Sequence, residues 1–126
     1  MARHGHRAVP STEGDFTLAG GERATRQLLT AHPAVDGIFA ANDLMAQGAL
    51  LVLSELGRQV PRDVAVVGFD DSTAALACRP PLTTVRQPVE DMAAEVARLL
   101  LALIDDPGQA LSSVIFEPEL VVRESA

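Results

Sequence analysis

Two stretches decide the fold of this chain: Gly37-Ile38-Phe39-Ala40-Ala41, which runs into Asn42-Asp43, and Val64-Ala65-Val66-Val67-Gly68, which runs through Phe69 into Asp70-Asp71. Each is a short, continuous apolar run that stops abruptly at compact polar groups. Such a run is too short for a helix and reads as a fully buried strand. Between the two, Leu44, Met45, Ala49, Leu50, Val52, Leu53 and Leu56 recur at helical spacing, and Gly57 supplies a left-handed stop. Pro61-Arg62-Asp63 then turns the chain. Strand, helix and strand within about 30 residues form a βαβ unit, which predicts a parallel sheet with a right-handed crossover. Ligands of open parallel sheets sit in the crevice beyond the carboxyl ends of the strands, where Asn42-Asp43 and Asp70-Asp71 fall. Neighbouring strands lie about 4.8 Å apart, so two such endings reach one small molecule.

Working outward, Thr17 precedes a stretch with apolar residues at Leu18, Ala24, Leu28, Leu29 and Ala31, which predicts a helix with Gly20-Gly21 in its first turn and a stop at His32-Pro33. Beyond Asp71 come a loop or short helix through Ala77, the turn Arg79-Pro80-Pro81 and a strand over Leu82–Arg86. Pro88 then opens a helix with a single apolar stripe of Val89, Met92, Val96, Leu99, Leu100, Leu103 and Ile104. Glu90, Asp91 and Glu95 in its opening turns suit the positive helix end, and Asp106-Pro107-Gly108 closes it. The tail, Val114-Ile115-Phe116 and Leu120-Val121-Val122 around Pro118, reads as two short strands or one bent strand. No internal repeat or low-complexity tract interrupts this order.

The composition bounds the function. A length of 126 residues with 48% apolar residues and a mean hydropathy of +0.18 predicts one folded core. The net charge of −7 opposes phosphate binding, and 3% aromatics with no Trp or Tyr leave no platform for stacking bases. The only basic cluster, Arg3-His4-Gly5-His6-Arg7, is terminal and short. A lone cysteine, Cys78, excludes an internal disulfide and a cysteine-based zinc site, and it fits a reducing cytoplasm. No apolar run is long enough for a membrane-spanning helix, and no signal-peptide core opens the sequence.

At the strand ends, the Asp70 carboxylate accepts two hydrogen bonds from adjacent hydroxyls, while Asn42 offers both an acceptor and donors. Together they suit a polyhydroxylated ligand. Phe16, after Gly14-Asp15, offers a flat apolar wall, completing an apolar pocket with a few convergent polar groups. The same residues also have structural readings: Asn42 or Asp43 as the N-cap of the following helix, and Phe16 as core. A magnesium site on Asp43, Asp70 and Asp71, as in a metal-dependent hydrolase, is a weaker alternative. The chain has no Lys, no phosphate-binding glycine loop and no G-x-S-x-G setting for any serine. No catalytic residue, metal ligand or cofactor is therefore assigned.

Read as a series, Gly14-Asp15-Phe16-Thr17, Ile38-Phe39-Ala40-Ala41-Asn42-Asp43-Leu44-Met45-Ala46-Gln47-Gly48-Ala49, Val60-Pro61-Arg62-Asp63-Val64-Ala65-Val66-Val67-Gly68-Phe69-Asp70-Asp71, Pro80-Pro81-Leu82-Thr83-Thr84-Val85-Arg86-Gln87-Pro88 and Glu119-Leu120-Val121-Val122-Arg123-Glu124-Ser125 closely resemble the effector-binding domain of LacI/GalR-family transcriptional regulators. The resemblance covers residues 12–126. It implies an α/β, doubly wound, periplasmic-binding-protein-like fold of type I, here mainly the C-terminal lobe, closing on a small effector of the sugar or nucleobase class. It implies effector contacts for Phe16, Asn42, Asp70 and Gln87, the last at the crossing between lobes.

The resemblance also sets expectations for organisation. Residues 1–11 form a poorly ordered terminus, residues 12–126 a partial effector domain, and helix 88–106 belongs to the N-terminal lobe of a complete regulator. That lobe, the hinge helix and the helix-turn-helix domain have no counterpart in these residues, so the chain is expected not to bind DNA directly. The stripe from Val89 to Ile104 then needs cover by folding back, by a homodimer partner or by a swapped oligomer. Ala74 to Arg79 matches a region used at the family's dimer interface. The expected function is effector sensing and dimerisation within a cytoplasmic regulator, not an enzyme. The alternative is a chain that acts only by pairing with a full-length regulator.

Overall fold

The computed structural model describes residues 9–110 and 112–126; the basic cluster Arg3 to Arg7 lies outside them. The elements follow the expected order: α1 (Leu18–Ala31), β1 (Gly37–Phe39), α2 (Asp43–Glu55), β2 (Ala65–Asp70), α3 (Thr73–Ala77), β3 (Thr83–Arg86), α4 (Val89–Asp105) and β4 (Glu119–Val121). The four strands form one sheet in sequence order. β1, β2 and β3 run parallel, with Ile38 opposite Val66 and Gly68 opposite Thr84, and β4 returns antiparallel with Leu120 opposite Val85.

The βαβ unit forms because its punctuation is unambiguous. Asn42 caps α2, its Oδ1 accepting from the Met45 amide at 2.9 Å. After Leu56, Gly57 takes φ +70°, the left-handed turn that a Cβ opposes. Met45, Ala46, Ala49, Leu50, Val52 and Leu53 are buried along α2, with Ala46, Val52 and Leu53 fully so. α1 lies across α2 at close quarters. A Cβ on Gly48 would run into the Leu18 carbonyl, and one on Gly21 into the backbone of Met45. The helix crossing is thus served by Gly21 and Gly48, whereas a Cβ on Gly20 would meet the Asp15 carboxylate.

Burial on the sheet is one-sided. Val66 and Gly68 are buried, whereas Ala65, Val67 and Phe69 are half-buried and Phe39 is 65% exposed. Phe39 and Phe69 meet edge to face, their ring centroids 6.5 Å apart. The expectation of fully buried strands therefore holds for the side on which Gly68 approaches Ala46 of α2, and it fails on the other. No described element provides the second covering layer that continuous apolar strands call for.

One further expectation changes, and one of the three alternatives for the α4 stripe falls away. Val114-Ile115-Phe116 is not a strand, and Ile115 is 91% exposed; its backbone finds no neighbouring strand among the described residues, and only β4 pairs. α4 does not fold back. None of its residues is buried, and Val89, Val96, Leu100, Leu101 and Ile104 are exposed.

Candidate functional site

At the end of β1, Asn42 does two jobs with one amide. Its Oδ1 caps α2, and its Nδ2 donates to the Phe16 carbonyl at 2.9 Å. The amide therefore fastens the loop before α1 to the start of α2. That loop is also braced from within: Asp15 Oδ1 accepts from the Thr17 hydroxyl at 2.6 Å and the Thr17 amide at 3.1 Å, and Oδ2 pairs with Arg23. The Thr17 bonds lower the pKa of Asp15, with Arg23 assisting. Thr17 in turn caps α1 through the Gly20 amide. The result is a Phe16 held at φ +61° with its side chain 64% exposed. Neither burial nor local preference accounts for that placement.

At the end of β2, Asp70 and Asp71 take φ +109° and +54°. Non-glycine residues in such conformations cost about 1–3 kcal/mol each and persist only where surrounding bonds hold them. Those bonds are present. The exposed Asp70 Oδ1 accepts from Gln87 Nε2 at 3.3 Å. Asp71, its side chain 7% exposed, accepts from Arg123 Nη2 at 2.5 Å and Arg86 Nε at 2.7 Å. Burial draws the Asp71 carboxyl upward, but the two guanidiniums outweigh it and hold its pKa below the usual carboxylate value.

Beneath both ends lies Asp43, only 1% exposed. Its Oδ1 accepts from the Thr84 hydroxyl at 2.6 Å, and its Oδ2 from the Ser72 amide and hydroxyl at 2.6 and 2.9 Å. Asp43 is thus a cross-link between α2, β3 and the start of α3, and the N-cap of α2 is Asn42. The trio Asp43, Asp70 and Asp71 does not converge on a cation: one carboxylate is saturated by hydroxyls and an amide, another by arginines. Among the described residues no group of three or more His, Cys, Asp or Glu side chains is arranged to hold a metal.

The structure joins the four site residues in two bonded pairs, Phe16 with Asn42 and Asp70 with Gln87. Phe16 and Gln87 line different grooves, and Asn42 and Asp70 line neither of the two. A mainly apolar groove of about 590 Å³ runs beside β1 and takes in Phe16, Ala41 and Met45. A smaller one, about 200 Å³, is lined by Gln87, Phe69, Pro88 and Met92. The residues missed from sequence are Thr84 and Ser72, which bond Asp43, and Arg86 and Arg123, which bond Asp71. No local pattern marks them, because Arg123 reaches Asp71 across 52 positions of chain. Cys78, in the expected dimer segment, is buried and bonded to the Ala74 carbonyl. Burial raises its pKa, and the exposed residues of the segment are Leu76, Ala77 and Arg79.

Comparison with known proteins places this arrangement. The periplasmic binding protein-like domain family matches residues 1–126. The HTH-type transcriptional regulator CelR of Thermobifida fusca is 51% identical over 112 residues, which cover 89% of this chain and 33% of that regulator. The solved CelR–cellobiose complex superposes with a TM-score of 0.94 at 46% identity, over 99% of this chain and 39% of that one. A LacI family regulator from Arthrobacter sp. FB24, solved with lactose, gives 0.77 at 35% identity, over 89% of this chain and 42% of that one. The chain thus spans about a third of the curated relative it matches. Among the described residues no helix is long and apolar enough to cross a membrane. On the sheet order and these matches together, the chain belongs to the periplasmic binding protein-like domain family and corresponds to part of a LacI/GalR-type regulator.

Proposed function

We propose that this chain is the effector-sensing and dimerising part of a cytoplasmic LacI/GalR-type transcriptional regulator, and that its effector is a small sugar of the disaccharide class. The observation that carries the reading is Asp70: an exposed carboxylate, held at positive φ at the carboxyl end of a central strand, with Gln87 as its side-chain partner. A carboxylate so placed accepts hydrogen bonds from two adjacent hydroxyls of one sugar ring. Asn42 contributes the N–H left over from its bond to Phe16, and the exposed Phe16 ring supplies an apolar face for the sugar. The net charge of −7 favours a neutral ligand over a phosphorylated one. The cellobiose and lactose complexes of the relatives support the same class. In a complete regulator, the effector changes DNA affinity by binding one arrangement of lobes better than another.

A thermal-shift screen of cellobiose, lactose, monosaccharides and nucleosides tests this. A ligand bound only by the folded state stabilises it by about 2.7 kcal/mol at one hundred times its Kd. Cellobiose or a related disaccharide is expected to raise the unfolding midpoint. A rise with nucleosides alone, or with none of the panel, contradicts the reading.

A second reading is favoured by one observation, the uncovered apolar face of α4. On this reading the chain acts by pairing alone, α4 seating against a full-length regulator. Capture of an intact relative with no response to any sugar would support pairing over sensing.

A further inference from the structure

We infer that Asp71 is a positioning residue that joins the loop carrying Asp70 to both chain crossings between the sheet and the α4 arm. The inference rests on the reading of Asp70 as an effector contact. The outgoing crossing is β3 to α4, through Arg86, Gln87 and Pro88. The returning one enters β4 at Glu119 and leaves it toward Arg123. Asp71 sits where these meet. Its Oδ2 accepts from Arg86 Nε and Nη2 at 2.7 and 2.6 Å, a two-point grip on the last residue of β3. Its Oδ1 accepts from Arg123 Nη2 at 2.5 Å.

Both arginines are themselves anchored. Arg86 Nη1 reaches Glu119 Oε2 at 3.4 Å, and Arg123 Nη1 donates to the Leu82 carbonyl at 2.8 Å. One carboxylate therefore ties together the end of β2, the exit of β3 and both sides of β4.

The backbone gives this clasp its consequence. Asp70 and Asp71 are consecutive and both hold positive φ. The bonds on Asp71 are what keep the Asp70 carboxylate turned toward Gln87, one residue beyond Arg86. Planar guanidiniums gripping a largely buried carboxylate fix direction as well as distance, which a lysine would not. Any swing of the α4 arm about these crossings passes through the clasp, and so does any shift of Asp70. The two neighbouring aspartates thus divide the work: one faces the ligand, the other transmits its position.

The test compares the 126-residue chain with Asp71→Asn, and with Arg123→Lys as a milder variant should the first fail to fold. Hydrogen exchange of the ligand-free protein is read at three places: Asp70–Ser72, residues 86–89 and residues 118–121. The expected result is exchange at least tenfold faster at all three, with α1 and α2 unchanged. Unchanged exchange at the crossings, or acceleration spread evenly over α1 and α2, overturns the clasp. Calorimetry with cellobiose then reads the link to the site, where Asp71→Asn is expected to weaken binding about tenfold. Equal affinity would overturn the link. If the unaltered chain binds no cellobiose, the sugar reading fails, while the exchange result still decides the clasp.

Discussion

α2 and α4 are both amphipathic helices of similar length, yet one is the centre of the molecule and the other is not packed on it. α2 buries eight of its 13 residues, lies against α1 and the sheet, and starts from a side-chain cap on Asn42. α4 buries none of its 17, and its N-cap position is Pro88, which makes no capping bond. The difference teaches that an apolar stripe specifies a need for a partner without specifying where that partner is. α2 finds its main partners, α1 and β2, in the elements that flank it in the chain. α4 leaves the sheet beyond Pro88, with Met92 near Phe69 and most of its large apolar residues exposed.

The largest effect expected from this contrast is on stability. Leu53 is fully buried in α2, and Leu53→Ala should cost about 2–5 kcal/mol in urea unfolding. Leu100, 56% exposed on α4, should change stability by no more than about 0.5 kcal/mol when replaced by Ala. A comparable loss at Leu100 would mean that α4 is covered in solution, and a dependence of that loss on protein concentration would identify a second copy as the cover.

A smaller effect is expected at the helix start. Asn42→Ala removes the cap of α2 and the tether to Phe16, and should cost about 1 kcal/mol in the same assay. No change would mean that the strand end is held by Asp43 alone.

The smallest concerns the junction of the two regions. The pKa of Asp71 is depressed in the folded chain, so its contribution to stability is complete above the ordinary carboxylate value and fades as the pH falls through the depressed one. Asp71→Asn should therefore flatten the fall in stability below about pH 4. An identical acid limb in both proteins would remove the junction's electrostatic role.

The same contrast explains what was legible in the sequence. The βαβ unit was readable because its signals are local: apolar runs, Asn42 as a cap and Gly57 as a stop all act within a few residues. The exposure of Phe39 is not, since burial depends on which layers are present and a strand's own residues look alike in both cases. Val114-Ile115-Phe116 has strand composition but no strand beside it, so composition overstated it. At the site, Asn42 and Asp70 stood out as polar groups ending apolar runs. In sequence Asp71 is indistinguishable from Asp70; in the fold Arg86 and Arg123 claim it. Asp43 looked like a ligand or a cap, and only the fold brings Thr84 and Ser72 onto its carboxylate.

On the proposed function, the strand ends of β1 and β2 form one wall of a sugar site, with Asp70 as its principal acceptor. Isothermal calorimetry with cellobiose on the unaltered chain and on Asp70→Asn tests it most directly. Hydrogen bonds to a charged group contribute about 1.5–3 kcal/mol, so the substitution should weaken binding by about 10- to 150-fold while leaving the unfolding midpoint unchanged. Cellobiose binding of equal strength in both proteins would contradict the account.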